Sequence, residues 1–263
     1  MWQFLDTRAI TAAIDFLKTH TYPNVDPVLW DGNLWFYGEL EKLLATYGGQ
    51  CGPIFAAESG GSIGGIAFVN GATVLIDALP GVKVGSLLAH LKERYKERTE
   101  PLSIVTCRQN AANEIMQLPG AILKSANVKL YTCSAPEGVH PEGEELVPGR
   151  EYRFWRDWSS FPDLLEAGYR VFGIVADDNR VLSHAGLWPL SVRRTEVVMV
   201  GTDPDHFGKG YATGVSALAL RVALQSAAIV TWSTDLSNKA SLRVATKLGF
   251  RELVTLYHIT LPD

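Results

Sequence analysis

Val197-Val198-Met199-Val200-Gly201-Thr202-Asp203-Pro204-Asp205-His206-Phe207-Gly208-Lys209-Gly210-Tyr211-Ala212 passes from strand to helix through a pair of glycines. The apolar run Val197 to Val200 suits a strand buried on both faces, and Asp203-Pro204-Asp205 breaks it. Gly208 and Gly210 then let backbone approach a ligand closely. Tyr211, Val215, Leu218, Ala219 and Val222 follow at helical spacing. The first amides of that helix have no intrahelical acceptor and point toward the glycine loop, an arrangement that attracts anions and phosphates above all.

Neither of the commonest phosphate-binding patterns fits. No Gly-Lys is followed by Ser or Thr to hold magnesium, and the three glycines of a dinucleotide fingerprint are missing. The run resembles instead the acyl-coenzyme A pyrophosphate loop of the GNAT superfamily of N-acyltransferases: Gln or Arg, two residues, Gly, one residue, Gly or Ala. Gly210 and Ala212 match, and Phe207 stands where the family has Gln or Arg. A second match lies downstream, where Trp232-Ser233-Thr234 leads through Asn238, Ser241 and a closing Gly249-Phe250 and resembles the superfamily's next strand and helix. The resemblance covers about Tyr152 to Leu261. It implies an α/β fold with a mixed, mostly antiparallel sheet flanked by helices, and transfer of an acyl group from a coenzyme A thioester to an amine.

Composition sets wider bounds. A chain of 263 residues, 47% hydrophobic and 20% charged, can bury a substantial core in one large or two modest domains. A net charge of −4 offers no general attraction to nucleic acid or anionic membrane. Cys51, Cys107 and Cys133 are scattered, without the spacing of a disulfide framework or a zinc site, and read as reduced core thiols. No apolar run is long enough to span a bilayer and the N-terminus has no leader-like segment, so residence in the cytoplasm is the expectation. Oligomeric state is not legible.

In chain order, Asp6 or Thr7 can cap a helix carrying Ile10, Ile14 and Leu17, and a second helix is expected from Glu39 to Tyr47. Trp30, Trp35, Phe36 and Tyr37 between them read as core or as the lining of an acceptor pocket. Strands are expected at Pro53 to Glu58, Gly64 to Asn70 and Thr73 to Ala78, with hairpin turns at Gly60-Gly61 and Asn70-Gly71. A helix from Val84 to Arg98 turns Leu87, Leu88, Leu91 and Tyr95 inward. A strand at Leu102 to Cys107, a short helix around Asn113 to Leu118 and a strand at Val128 to Cys133 follow. This is also the GNAT order of elements. Leu79-Pro80-Gly81-Val82-Lys83-Val84-Gly85 precedes the main helix without the paired glycines, so the N-terminal half resembles a GNAT-like repeat that lost its coenzyme loop.

Ser134 to Gly149, rich in proline, glycine and glutamate, reads as a linker. The expected organisation is a GNAT-like N-terminal domain at 1–134, a linker at 135–150 and a catalytic domain at 151–263. Within the last, strands are expected near Tyr152 to Arg156, at Tyr169 to Ala176, Val181 to Trp188 and Thr195 to Gly201, with a short helix inside Phe161 to Glu166. A final strand, Glu252 to Leu261, closes the sheet. Asp177-Asp178-Asn179 reads as a turn, not a catalytic carboxylate pair.

For the chemistry, an alkyl ammonium of pKa about 10 is neutral in only about one part in a thousand near pH 7, a deficit of roughly 4 kcal/mol. A base is therefore needed. Glu196, on the strand feeding the glycine loop, stands where the histone acetyltransferase branch has its catalytic glutamate. Strand alternation puts it on one face with Val198 and Val200, and it can act directly or through water. The competing reading is a salt bridge to Arg193 or Arg194. His184 is the substitute base. By family position the Val200 amide is the oxyanion donor and Val198 its strand neighbour, while Thr202 lies along the pantetheine arm. Phe207, Gly208, Lys209, Gly210, Tyr211 and Ala212 surround the pyrophosphate, and Asn238 and Ser241 lie on the pantetheine side. Many relatives place a tyrosine seven residues after the asparagine as general acid; here that residue is Ala245, leaving water, Ser233, Tyr257 or an unassisted thiolate. Lys239, Arg243 and Lys247 form a basic stripe, read as a solvated helix face or as a contact for the coenzyme's 3′-phosphate.

Acetyl-coenzyme A, or another acyl-coenzyme A, is thus the expected co-substrate, with no metal, and a small-molecule primary amine or amino acid the expected acceptor. Phe207 keeps two alternatives open: another donor, such as a longer acyl-coenzyme A or an aminoacyl-tRNA, and a non-catalytic acyl-coenzyme A sensor.

Overall fold

The protein is described by a computed structural model over residues 2–4, 54–70, 72–94, 100–189 and 194–262. The two helices expected before residue 50, the aromatic cluster Trp30 to Tyr37, Cys51, Gly71 and Tyr95 lie outside these residues. The chain forms two compact units: Met1–Val128 with Val254–Asp263, and Lys129–Leu253.

In the first unit β1 (Trp2–Phe4) runs antiparallel to β2 (Ile54–Ser59), which turns through Gly60 and Gly61 into β3 (Ser62–Asn70). Both turn glycines have positive φ, 62° and 82°, the conformation that a two-residue hairpin demands and glycine adopts without strain. β4 (Thr73–Ala78) pairs with β3 in unbroken antiparallel register from Gly65↔Ala78 to Asn70↔Thr73. On its other edge it runs parallel to β5 (Leu102–Thr106). α1 (Val84–Arg94) buries Leu87, Leu88 and Leu91, which its period placed inward, together with Val84. α2 (Gln109–Ile115) starts ahead of Asn113 because Ala111 and Ala112 extend the apolar face of Ile115. β6 (Ile122–Thr132) likewise starts before Val128; Ile122 and Leu123 are exposed, so nothing in their pattern marked a buried strand. The last strand, expected to close the second unit's sheet, has its residues from Val254 on in the first unit. Tyr257–Leu261 pair antiparallel with β5, and Ile259 and Leu261 complete the core around Leu102 and Ile104.

The second unit begins at Lys129 and takes in the segment expected to be a linker. β7 (Glu144–Leu146) pairs antiparallel with β9 (Arg170–Val175) and buries Leu146. The glutamates that made it look solvated face Arg150 at 2.8 Å and Arg170 at 2.7 Å. Only glycine fits at 143, where a Cβ would stand 2.5 Å from the Gly173 carbonyl oxygen. β8 (Arg153–Phe154) lies parallel to β10 (Arg180–Pro189), and α3 (Phe161–Glu166) follows it in the chain. β9 and β10 form a hairpin closed at Asn179, φ 62°. Asp178 there accepts from the Arg180 amide and pairs with Arg153, a turn as expected. β11 (Arg194–Thr202), α4 (Tyr211–Ala223), β12 (Ile229–Asp235), α5 (Lys239–Lys247) and β13 (Arg251–Leu261) complete the order. α4 buries Val215, Ala219, Leu220 and Ala223.

The fold is thus mixed α/β, with mostly antiparallel strands flanked by helices; the parallel pairs include β4 with β5 and β11 with β12. Among the described residues no helix is long and apolar enough to cross a membrane. Cys107 is half-buried and Cys133 is exposed, so the latter is no core thiol.

Candidate functional site

β11 departs from a regular strand midway. Against β10 its register runs Gly186↔Val198 and then His184↔Gly201, so β11 spends one residue more than its partner. Met199 sits in this β-bulge with φ 53°, a strained conformation for a side chain of its size. Glu196 and Val198 precede the bulge in regular register, and the bulge breaks the alternation expected to carry Val200 onto the same face. Against β12 the parallel pairing runs only from Arg194↔Ile229 to Val197↔Trp232. Beyond Val197 the strands part around a groove of about 860 Å³, with Val198–Thr202 on one wall and Ser233, Thr234 and α5 on another.

The glycine loop forms the groove's end. Asp203 accepts from the Asp205 amide and starts a 3-10 turn at Pro204–His206. Gly208 and Gly210 follow at φ 78° and 87°, and a Cβ added at either would meet open space. Gly210 precedes α4 in the left-handed conformation without a side-chain cap. The Gly214 amide is the first to bond back into the helix, to the Gly210 carbonyl, so the amides of Tyr211 to Thr213 face outward at the positive end of the helix. Phe207, Gly208, Gly210, Tyr211 and Ala212 line the groove, with Phe207 66% exposed; Lys209 does not line it.

Asn238 and Ser241 line the groove too, and the side-chain oxygen of each already accepts a hydrogen bond. The Asn238 Oδ1 accepts from the Ser241 amide and caps α5, and the Ser241 Oγ accepts from the Trp232 indole N–H at 2.9 Å. Of the basic stripe, Arg243 and Lys247 face the groove, whereas the Lys239 Nζ donates to the Leu236 carbonyl. Thr202 shares a hydrogen bond with Ser183. Ala245 is buried in the core, and Tyr257 belongs to the first unit, its hydroxyl donating to Gln109.

The two base candidates lie behind the groove wall. Glu196 is 7% exposed. Its Oε1 accepts from the Ser233 Oγ at 2.5 Å, and its Oε2 stands 3.5 Å from the Lys129 Nζ. Lys129, equally buried, was not singled out in the sequence, since it lies in a strand far from any motif. His184 is fully buried, stacked on Trp155 and packed against Trp158 and Phe154. Burial, with Arg156 beside it, pushes its pKa down from 6.5 to about 4, so it is neutral near pH 7. Trp155 and Arg156 form a further part of the groove lining. The visible signal for them was the sequence Trp155-Arg156-Asp157-Trp158, a cation between two indoles.

The family model of the GNAT acetyltransferases matches residues 128–250. Those residues are a GNAT acetyltransferase domain. They include β11, the glycine loop and α5, so the groove belongs to the domain. No curated protein matches the sequence. Among solved structures the fold is similar to a GCN5-related N-acetyltransferase from Sphaerobacter thermophilus, with TM-score 0.65, 14% identity and coverage of 100% of this chain and 96% of the other. It is also similar to a tandem GNAT protein from the clavulanic acid biosynthesis pathway, with TM-score 0.55, 14% identity and coverage of 100% and 98%. A third, an acetyltransferase-like protein from Pyrococcus horikoshii, has TM-score 0.53, 12% identity and coverage of 100% and 89%. Members of the GNAT family typically use acetyl-coenzyme A. The GNAT domain's glycine loop fits a pyrophosphate through its backbone, with open space at both glycines and free helix amides, while Phe207 brings no charge to it. Among the described residues no three His, Cys, Asp or Glu side chains cluster to hold a metal.

Proposed function

We propose that the second unit is an N-acyltransferase that moves an acetyl or related acyl group from a coenzyme A thioester to the primary amine of a small molecule or amino acid. The observation that carries this is the parting of β11 from β12 after Val197, directly ahead of the glycine loop. A strand edge left unpaired by its neighbour offers main-chain groups to an amide-bearing pantetheine arm, as a missing strand would. The outward amides of α4, with Arg243 and Lys247 on the wall, suit the phosphates at the far end. The Val200 amide, next to the bulge, is the proposed oxyanion donor. Glu196 is the preferred base, because His184 is neutral, enclosed by indoles and absent from the groove lining.

The first unit supports a lost coenzyme site. Its α1 end is already occupied, the Gly85 amide donating to the Glu114 carboxylate at 2.9 Å.

The test is calorimetric titration with acetyl-coenzyme A and coenzyme A, followed by thiol release with a panel of amines. One-to-one micromolar binding and turnover are expected. Binding without turnover on any amine would leave an acyl-coenzyme A sensor. Phe207, apolar and exposed in the loop, favours a second donor class, and absence of binding would direct the same titration to longer acyl chains and to aminoacyl-tRNA.

A further inference from the structure

Ser233 is the first residue of β12 beyond the last pairing with β11, at the point where the groove opens. It is exposed to the groove, while Glu196 behind it is not a lining residue. A serine hydroxyl has one proton and two lone pairs. At 2.5 Å from the Glu196 Oε1, that proton is committed inward to the carboxylate. What Ser233 presents to the groove is therefore an acceptor. An acceptor there suits the N–H of an approaching ammonium and does not suit a departing thiolate, which needs a donor.

We propose that Ser233 is a catalytic residue on the base side of the reaction, receiving a proton from the acceptor ammonium as it passes its own to Glu196. The proposal rests on the acyl-transfer reading above. In the first step an N–H bond of the ammonium breaks, its proton binds the Ser233 Oγ, and the serine proton moves to the Glu196 Oε1. The products are a neutral amine and a carboxylic acid. The amine lone pair then attacks the thioester carbon, forming the C–N bond. Collapse breaks the C–S bond, and the second amine proton goes to the leaving thiolate. Glu196 returns its proton to solvent through Ser233 once product has left, so one proton is released per turnover. Glu196 acts through Ser233 and is a positioning residue and proton reservoir. Lys129, 3.5 Å from its other oxygen, holds the carboxylate with Oε1 turned to the serine.

The experiment is a double-variant cycle on thiol release from acetyl-coenzyme A, with the fastest amine of a primary alkylamine panel as acceptor. Coenzyme A affinity is measured on every variant by calorimetry. Ser233→Ala and Glu196→Gln are each expected to lower kcat about 10²-fold, the scale of general-base assistance, with coenzyme A affinity unchanged. The double variant should be no slower than the slower single, and Ser233→Thr should recover most of the rate. The loss in Ser233→Ala should also shrink as pH rises toward the amine's pKa, because bulk solvent then supplies the neutral amine; a loss of merely structural origin keeps its size. Since Glu196→Gln removes the carboxylate beside buried Lys129 and can impair folding, Ser233→Ala with its pH profile stands as the sufficient test. Losses that multiply, a pH-independent loss, or a parent rate in Ser233→Ala would overturn the relay alone. A parent protein that turns over no amine would overturn the relay together with the acyl-transfer reading.

Discussion

The two units each carry a strand, a loop and a helix beside a parallel strand, and they use this same plan in opposite ways. In the first, β4 keeps its register along its whole length and the link to α1 is only Leu79–Lys83. Trp2 closes over that link, its indole donating to the Lys83 carbonyl at 2.7 Å, and Val82 fills the space beside Gly64 and Gly65. Glu114 takes the helix amide that an anion would take. In the second, β11 bulges at Met199, leaves β12 after Val197, and reaches α4 through a longer loop whose glycines face open space. The difference teaches that the fold tolerates either outcome. A sealed junction spends its polar and apolar groups on itself, whereas an open one leaves backbone amides for a ligand and accepts strain at Met199.

The largest effect expected on this contrast is in the sealed unit. Asp77 is fully buried on β4 and pairs with Arg108 at 2.7 Å. Asp77→Ala removes the fully buried partner of that guanidinium and should cost about 3 kcal/mol of stability, read by chemical unfolding, while coenzyme affinity in the second unit stays at the parent value. Loss of coenzyme binding in this variant would break the separation between the two junctions.

Next, Gly81 and Gly210 occupy corresponding loops at φ 94° and 87°, each with open space at Cβ. Valine at either is strained by about 1–2 kcal/mol. Gly210→Val should weaken acetyl-coenzyme A by about 10²-fold, equivalent to roughly 2.7 kcal/mol, through strain and a side chain in the groove. Gly81→Val should leave that affinity untouched. Equal affinities in the two variants would sink the distinction.

An acid-sensitive element distinguishes the second unit further. His184 has a folded pKa of about 4 against an ordinary 6.5. Above 6.5 both folded and unfolded chains hold neutral imidazole, and its contribution to stability is complete. As pH falls from 6.5 to 4 only the unfolded chain takes up the proton, so stability drops by about 1.4 kcal/mol per pH unit and levels once the folded form protonates too. Urea midpoints across this range should show the slope, and His184→Asn should flatten it. The smallest effect belongs to Phe207→Arg. Restoring a cation at this exposed position should tighten coenzyme A about threefold, in line with the modest worth of exposed charge pairs, and only at low salt.

How much was legible follows from how local each signal is. The hairpin at Gly60-Gly61, the turn at Asn179 and the inward face of α1 all depend on neighbours within a few residues, and all stand where the sequence put them. β7 was hidden because its two glutamates pair with Arg150 and Arg170, side chains supplied from outside the strand. Glu196 was legible as a candidate, but Ser233, 37 residues away, and Lys129, farther still, were not legible as its partners, because a sequence suggests only near neighbours such as Arg193 and Arg194. Arg193 lies outside the described residues.

The sequence by itself determined most of the succession of strands and helices among the described residues, and the glycine loop, because periodicity and positive φ act over one or two turns of chain. The tertiary structure alone decided the bulge at Met199, the enclosure of His184, the end of the β11·β12 pairing and the Lys129, Glu196 and Ser233 cluster. Each of these arises where strands distant in the chain are held edge to edge, and a register shift of one residue there changes which groups meet.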